Sequence, residues 1–189
     1  MRVKPRTFLL PKTPDPVTRG RAGVIIGVCL GSSGAIFALI LIWLVSGDLQ
    51  AITVAGALAF TAVLIGIVAL ARRGRVRASA WILIILLTGL ITADAGYYGV
   101  GSMAVTGFIV PVALAACVLG IWPTVAVALF SSAVIWTAAA GASTGWLTPG
   151  VPFEESQLTF NAPVLTVLIW FVGMMVAGWS QYLRGLSGS

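Results

Sequence analysis

The chain of 189 residues contains no histidine, and only 8% of it is charged. Without imidazole, haem or chlorophyll ligation by histidine, His-based proton relays and a phospho-accepting His are all excluded. Soluble domains are about a quarter charged and about half apolar. Here 59% of the residues are apolar, which excludes an ordinary water-soluble globule. A disordered chain, which needs low hydrophobicity and high charge, is excluded by the same figures. The two cysteines, Cys29 and Cys117, are too few for a disulfide framework or a metal cluster, and both fall inside apolar runs. Catalytic sets are also missing: there is no Ser/His/Asp or Cys/His arrangement and no pair of carboxylates within an apolar run. Gly99-Val100-Gly101 lacks the preceding strand and the later glycine of a dinucleotide loop. We therefore expect neither an enzyme nor a resident cofactor or metal.

What is present is a succession of apolar runs. At about 1.5 Å per residue, roughly 20 residues cross a hydrocarbon core about 30 Å thick. The runs predict six transmembrane helices, at 22–45, 51–71, 78–94, 102–119, 123–140 and 163–182. The expected fold is thus an all-α, polytopic six-helix bundle over 22–183. A basic, Pro-rich segment (1–21) precedes it and a short tail (184–189) follows. Charge location orients the bundle. Arg2, Lys4, Arg6, Lys12, Arg19 and Arg21 precede span one; Arg72, Arg73, Arg75 and Arg77 join spans two and three; Arg184 follows span six. All eleven cations then lie on one side, with Asp48, Asp94, Glu154 and Glu155 on the other and only Asp15 among the cations. The positive-inside rule places both termini in the cytoplasm, in a bacterial inner membrane. The same arginines are expected to attract anionic lipid, and they lack the aromatic platforms of a nucleic-acid interface. Span one is too long for a signal peptide and has no small-residue cleavage site, so it is expected to be retained.

Between the spans, Thr13, Asp15 and Thr18 offer caps for a short surface helix before span one. The short connection 46–50 makes spans one and two antiparallel neighbours. Pro123 suits the first turn of span five. The long segment 141–162 is expected to be an outer loop.

Several residue patterns are candidates for a role. Gly23, Gly27 and Gly31 form two GxxxG steps, Ala55/Ala59 and Ala62/Gly66 repeat the theme in span two, and Gly173/Ala177 in span six. In lipid, close approach through small residues supplies packing that hydrophobicity cannot. Such stripes suit packing within the bundle or a homodimer or partner interface. Asp94 stands at the outer end of span three, ahead of Tyr97, Tyr98 and a glycine-containing turn. It is a ligand or sensing candidate, with the tyrosines in the aromatic belt. Trp43, Trp81, Trp122 and Trp179 read as further belt residues. Trp170 lies deeper in span six and is a candidate to line an internal cavity or to stack on an isoprenoid or pigment. Pro111 is expected to kink span four and to release a carbonyl near Gly107. No charge lies within the spans, which argues against an ion-coupled transport path.

The arrangement resembles the six-helix N-terminal membrane modules of bacterial sensor histidine kinases and diguanylate cyclases, especially those of Chloroflexota. The resemblance rests on Leu10-Pro11-Lys12-Thr13-Pro14-Asp15-Pro16 with Arg19 and Arg21, on the Arg72–Arg77 inner loop, and on the outer turn from Asp94 to Gly101. Leu119-Gly120-Ile121-Trp122-Pro123 and an outer loop ending near Pro163 complete it. In that family span six continues into a signalling helix and a catalytic domain. Here Tyr182-Leu-Arg-Gly-Leu-Ser-Gly-Ser189 follows instead, and the expectation is a truncated sensor module or a stand-alone relative.

Three functions are weighed. The resemblance implies a sensor-like signal-input bundle. The second is an accessory subunit of a respiratory or photosynthetic membrane complex, binding lipid, quinone or carotenoid. The third is the substrate-binding component of a vitamin transporter. Expected partners are membrane lipids and other membrane subunits or a second copy, with no nucleic acid.

Overall fold

The structure, a computed structural model, describes residues 16–46, 51–148, 150 and 154–186. Among these residues it consists of helices and turns. The α-helices are α1 (Pro16–Ser46), α2 (Ala51–Arg72), α3 (Val76–Tyr98), α4 (Ile109–Val118), α5 (Ile121–Ser143) and α6 (Ala162–Leu186). A 3₁₀ segment, Met103–Phe108, leads into α4, and a π-turn, Gln157–Asn161, leads into α6.

Apolar sequence makes helices here because a backbone in lipid must satisfy its own polar groups. Hydroxyls inside the helices do the same by donating to the carbonyl four residues earlier: Ser33 to Cys29 (2.9 Å), Thr61 to Ala57 (2.8 Å) and Ser79 to Arg75 (2.9 Å). Two helix ends depend on glycine. Gly74, at φ +82°, lets α2 stop and α3 start within three residues. Gly120, at φ +104°, does so between α4 and α5. Thr124 then donates its hydroxyl to the Gly120 carbonyl at 2.8 Å, and Pro123, the third residue of α5, loses no intrahelical bond in that first turn.

Two compact units divide the chain, Met1–Ile82 and Leu83–Ser189. In the first, α1 packs on α2. Ala22, Ile25, Ile26 and Cys29 form the buried stripe of α1, meeting a buried set of Leu64, Ile67 and Ala71 on α2, with Val76, Ser79 and Ala80 buried at the start of α3. In the second, α4, α5 and α6 pack on one another. Phe108, Val112, Ile135 and Ile169 are fully buried in it. A Cβ on Gly173 of α6 would stand 2.7 Å from Val112 Cγ1 and 3.3 Å from Thr124 Cγ2. Only a glycine lets α6 approach α4 and α5 this closely.

Four expectations need correction. Span one begins earlier than expected: α1 is continuous from Pro16 and includes Thr18, while Thr13 and Asp15 lie outside the described residues. The run 102–119 is not one α-helix. Its first part winds as 3₁₀, and Ile109 N–H donates to the Thr106 carbonyl. Pro111 is the third residue of α4, just past the change from 3₁₀ to α winding. The expected loop 141–162 is shorter, because α5 runs on to Ser143 and helical winding resumes before α6. The turn attributed to Asp94, Tyr97 and Tyr98 begins later, since α3 continues to Tyr98.

Candidate functional site

The densest gathering of candidate residues lies where α3 ends. Asp94 sits one turn before that end and accepts a hydrogen bond from the Ser102 hydroxyl. Ser102 also caps the 3₁₀ segment by accepting the Ala104 N–H at 3.2 Å. The intervening chain is tightly turned: Gly99 N–H donates to the Ala95 carbonyl (3.0 Å) and Ser102 N–H to the Gly99 carbonyl (3.3 Å). Ala95 and Val100 are buried beneath it. One carboxylate thus fixes the start of the next helical segment, which is a structural use of Asp94.

Two later parts of the chain join this turn. Gly150 N–H donates to the Tyr97 carbonyl at 2.7 Å. Gln157, the first residue of the π-turn, is buried, and its amide nitrogen lies 2.9 Å from where a Cβ of Gly101 would be. The Tyr97 and Tyr98 rings meet edge to face at 4.7 Å and remain exposed. The cap therefore combines Asp94, Tyr97, Tyr98, Gly101, Ser102, Gly150 and Gln157.

Trp170 is not part of the cap. It lies on the seam between α5 and α6, where its indole N–H donates to Ser132 Oγ at 3.2 Å. The other side of Trp170 faces an open groove of about 590 Å³ on α6, shared with Thr166, Val167, Phe171, Met174 and Met175. Trp136 of α5 makes the matching bond to Thr166 Oγ1 at 3.1 Å. Each accepting hydroxyl is oriented by its own helix, Ser132 donating to the Ala128 carbonyl and Thr166 to the Ala162 carbonyl, both at 2.8 Å. Ser180 adds a bond from α6 to the Ala116 carbonyl of α4 at 3.2 Å. Single-residue reading missed this reciprocal pair. A hydroxyl four residues before a tryptophan on both helices was the available signal.

The small-residue stripes divide. Gly173 and Ala177 are buried in helix packing. Gly23 is half-buried. Gly27 and Gly31 are exposed, with no atom within 4 Å of an added Cβ, and Ala55, Ala59, Ala62 and Gly66 are exposed as well. Trp81, Trp122 and Trp179 are exposed. The side chains of Trp43 and Arg184, and all of Asp48 and the cations before Pro16, lie outside the described residues. Among the described residues, two buried hydroxyls, Thr88 Oγ1 and Ser131 Oγ, have no hydrogen-bond partner. Neither Cys29 nor Cys117 is in a disulfide.

No protein-family model matches the chain, and neither the curated proteins nor the solved structures contain a match to it. Its class follows from the fold. Five helical stretches are long and apolar enough to cross a membrane: Val17–Ser46, Val54–Arg72, Val76–Tyr98, Ile121–Ser143 and Gln157–Leu183. A shorter apolar helix, Ala104–Val118, makes the sixth. The chain is an all-helical, multi-pass membrane protein.

Proposed function

We propose that the protein is a non-catalytic, sensor-like input module of a bacterial inner membrane, with six spans and both termini in the cytoplasm. The observation that carries this reading is the cap. It ties the end of α3 to Gly150 and to Gln157, the residue that opens the winding into α6. A stimulus at this surface would bear directly on the helix that leads towards the C-terminus. π-turns are rare and recur at functional sites, which supports the same reading.

The topology has two supports. Residues 94–101 and 141–162, both assigned to the outer side by charge, do meet in the cap. The fourth span, 103–118, is also long enough despite its few residues. A 3₁₀ segment rises about 2.0 Å per residue and an α-helix about 1.5 Å, so 103–118 extends roughly 27 Å, close to a hydrocarbon core.

The test is a fusion of the full chain to a histidine-kinase output domain. Gly101→Leu, which drives a side chain into Gln157, is expected to change phosphorylation severalfold relative to the parent fusion. Output equal to the parent's would remove the reading. A second reading, an accessory subunit, is favoured by the exposed Gly27/Gly31 and Ala55/Ala59 stripes. Co-purification in a stoichiometric native complex would select it, with lipid, quinone or carotenoid as the molecules to look for.

A further inference from the structure

Six arginines that the sequence holds some fifty residues apart converge at one end of the first unit. α1 and α2 pack together and are joined through only four residues, 47–50, so they run antiparallel. α1 has 31 residues against 22 in α2, and the excess carries Arg19 and Arg21 past the end of α2. The turn to α3 lies at that same end and bears Arg72, Arg73, Arg75 and Arg77. Beneath them the helices are closely packed, with Ala22, Ala71 and Ala80 fully buried. The turn is held by Gly74 N–H to the Ala71 carbonyl (3.0 Å) and Arg75 N–H to the Leu70 carbonyl (3.2 Å). Arg73, Arg75 and Arg77 are exposed on this frame. Trp81, one helical turn beyond Arg77 and on the same face of α3, is also exposed. Along residues 1–46 the sequence has one acid, Asp15, against six cations, and residues 51–82 have none against four arginines.

We infer that this end of the first unit is a binding site for the phosphate headgroup of an anionic phospholipid. The guanidinium forks of Arg73, Arg75 and Arg77 hold the phosphate oxygens, Arg19 and Arg21 add positive charge at the same end, and Trp81 lies at the headgroup level. A guanidinium presents paired N–H donors that match two phosphate oxygens, which an ammonium cannot do. The apolar helices on both sides of the turn bring the phosphates of a bilayer to it and keep soluble anions at a disadvantage. The site goes beyond diffuse attraction to a charged surface, because it requires the forks and not merely the charge.

The experiment is lipid titration of the purified full-length protein in neutral detergent, read by native mass spectrometry and by thermal stability. Phosphatidylglycerol or cardiolipin is expected to bind saturably and raise the melting temperature, while phosphatidylcholine does neither. Each near-surface arginine adds to the attraction for anionic lipid, so R73Q/R75Q/R77Q should bind on the order of a hundredfold more weakly. R73K/R75K/R77K keeps the charge and should still lose severalfold. Equal uptake of phosphatidylcholine by the wild-type protein would overturn the site, and that comparison needs no variant to fold. Unchanged affinity in the lysine variant would overturn it too, as would equal competition by inorganic phosphate or an oligonucleotide.

Discussion

The two units use the same small residues in opposite ways. In Leu83–Ser189, Gly173 is enclosed by Val112 and Thr124, and indole and hydroxyl bonds cross from helix to helix. In Met1–Ile82, Gly27 and Gly31 have no atom near them, and the hydroxyls of Ser33, Thr61 and Ser79 bond to their own helices. A glycine in a membrane helix is thus no statement about packing until its neighbours are known. The second unit is built as a fixed cross-linked body. The first presents faces to whatever surrounds it.

Substitutions can break this contrast, and the largest effect is expected at Gly173. Gly173→Leu inserts bulk where a Cβ alone would already be 2.7 Å from Val112. It should cost at least the upper part of the usual overpacking range, about 1–3 kcal/mol, and lower the melting temperature in detergent. Gly27→Leu should leave stability unchanged or slightly raised, since leucine favours helix and nothing stands in its way. Equal losses at both sites would erase the distinction.

A smaller effect is expected from the reciprocal tryptophan bonds. Trp136→Phe and Trp170→Phe should each cost about 0.6 kcal/mol, the average for hydrogen bonds between membrane helices. Ser132→Ala combined with Trp170→Phe should show coupling, whereas Ser132→Ala with Trp136→Phe should be nearer additive. Denaturation in mixed micelles measures both cycles.

The smallest stability change belongs to Gly101→Ala. The atom in the way is the far end of the Gln157 side chain, which can shift. Less than about 0.5 kcal/mol should be lost, within the range of substitutions that avoid rigid contacts. Hydrogen exchange should nevertheless quicken at Ala162, whose N–H donates across the π-turn to the Gln157 carbonyl. Gln157→Ala in the same chain should cancel the effect of Gly101→Ala.

The sequence was legible where one physical rule dominated. Long apolar runs identify α1, α2, α3, α5 and α6, because backbone satisfaction in lipid leaves no alternative to helix, but α1 starts earlier and α3 and α6 run on past the apolar stretch. Pro123 and Gly120 marked the start of α5 for similarly local reasons. Legibility failed where two segments distant in sequence meet. Hydropathy cannot separate 3₁₀ from α winding, so Met103–Phe108 was absorbed into a single α-helical span. Asp94 was visible as an acid at a helix end, but its bond to Ser102 depends on how the turn closes. Gln157 carried no signal alone, since its burial follows from the missing side chain of Gly101. The convergence of Arg19 and Arg21 with Arg72–Arg77 was implied by topology, but it needed the relative lengths of α1 and α2 to become a place.

The most direct measurement is cysteine labelling in intact cells, with Cys29 and Cys117 replaced and single cysteines introduced by Glu154→Cys, Ala78→Cys and Gly185→Cys. In the proposed orientation the cap faces outward and the arginine end inward. Glu154→Cys should therefore react with a membrane-impermeant maleimide in intact cells, and the other two only after permeabilisation. Reaction at Ala78→Cys or Gly185→Cys in intact cells, or protection at Glu154→Cys, would contradict the orientation on which the input reading stands.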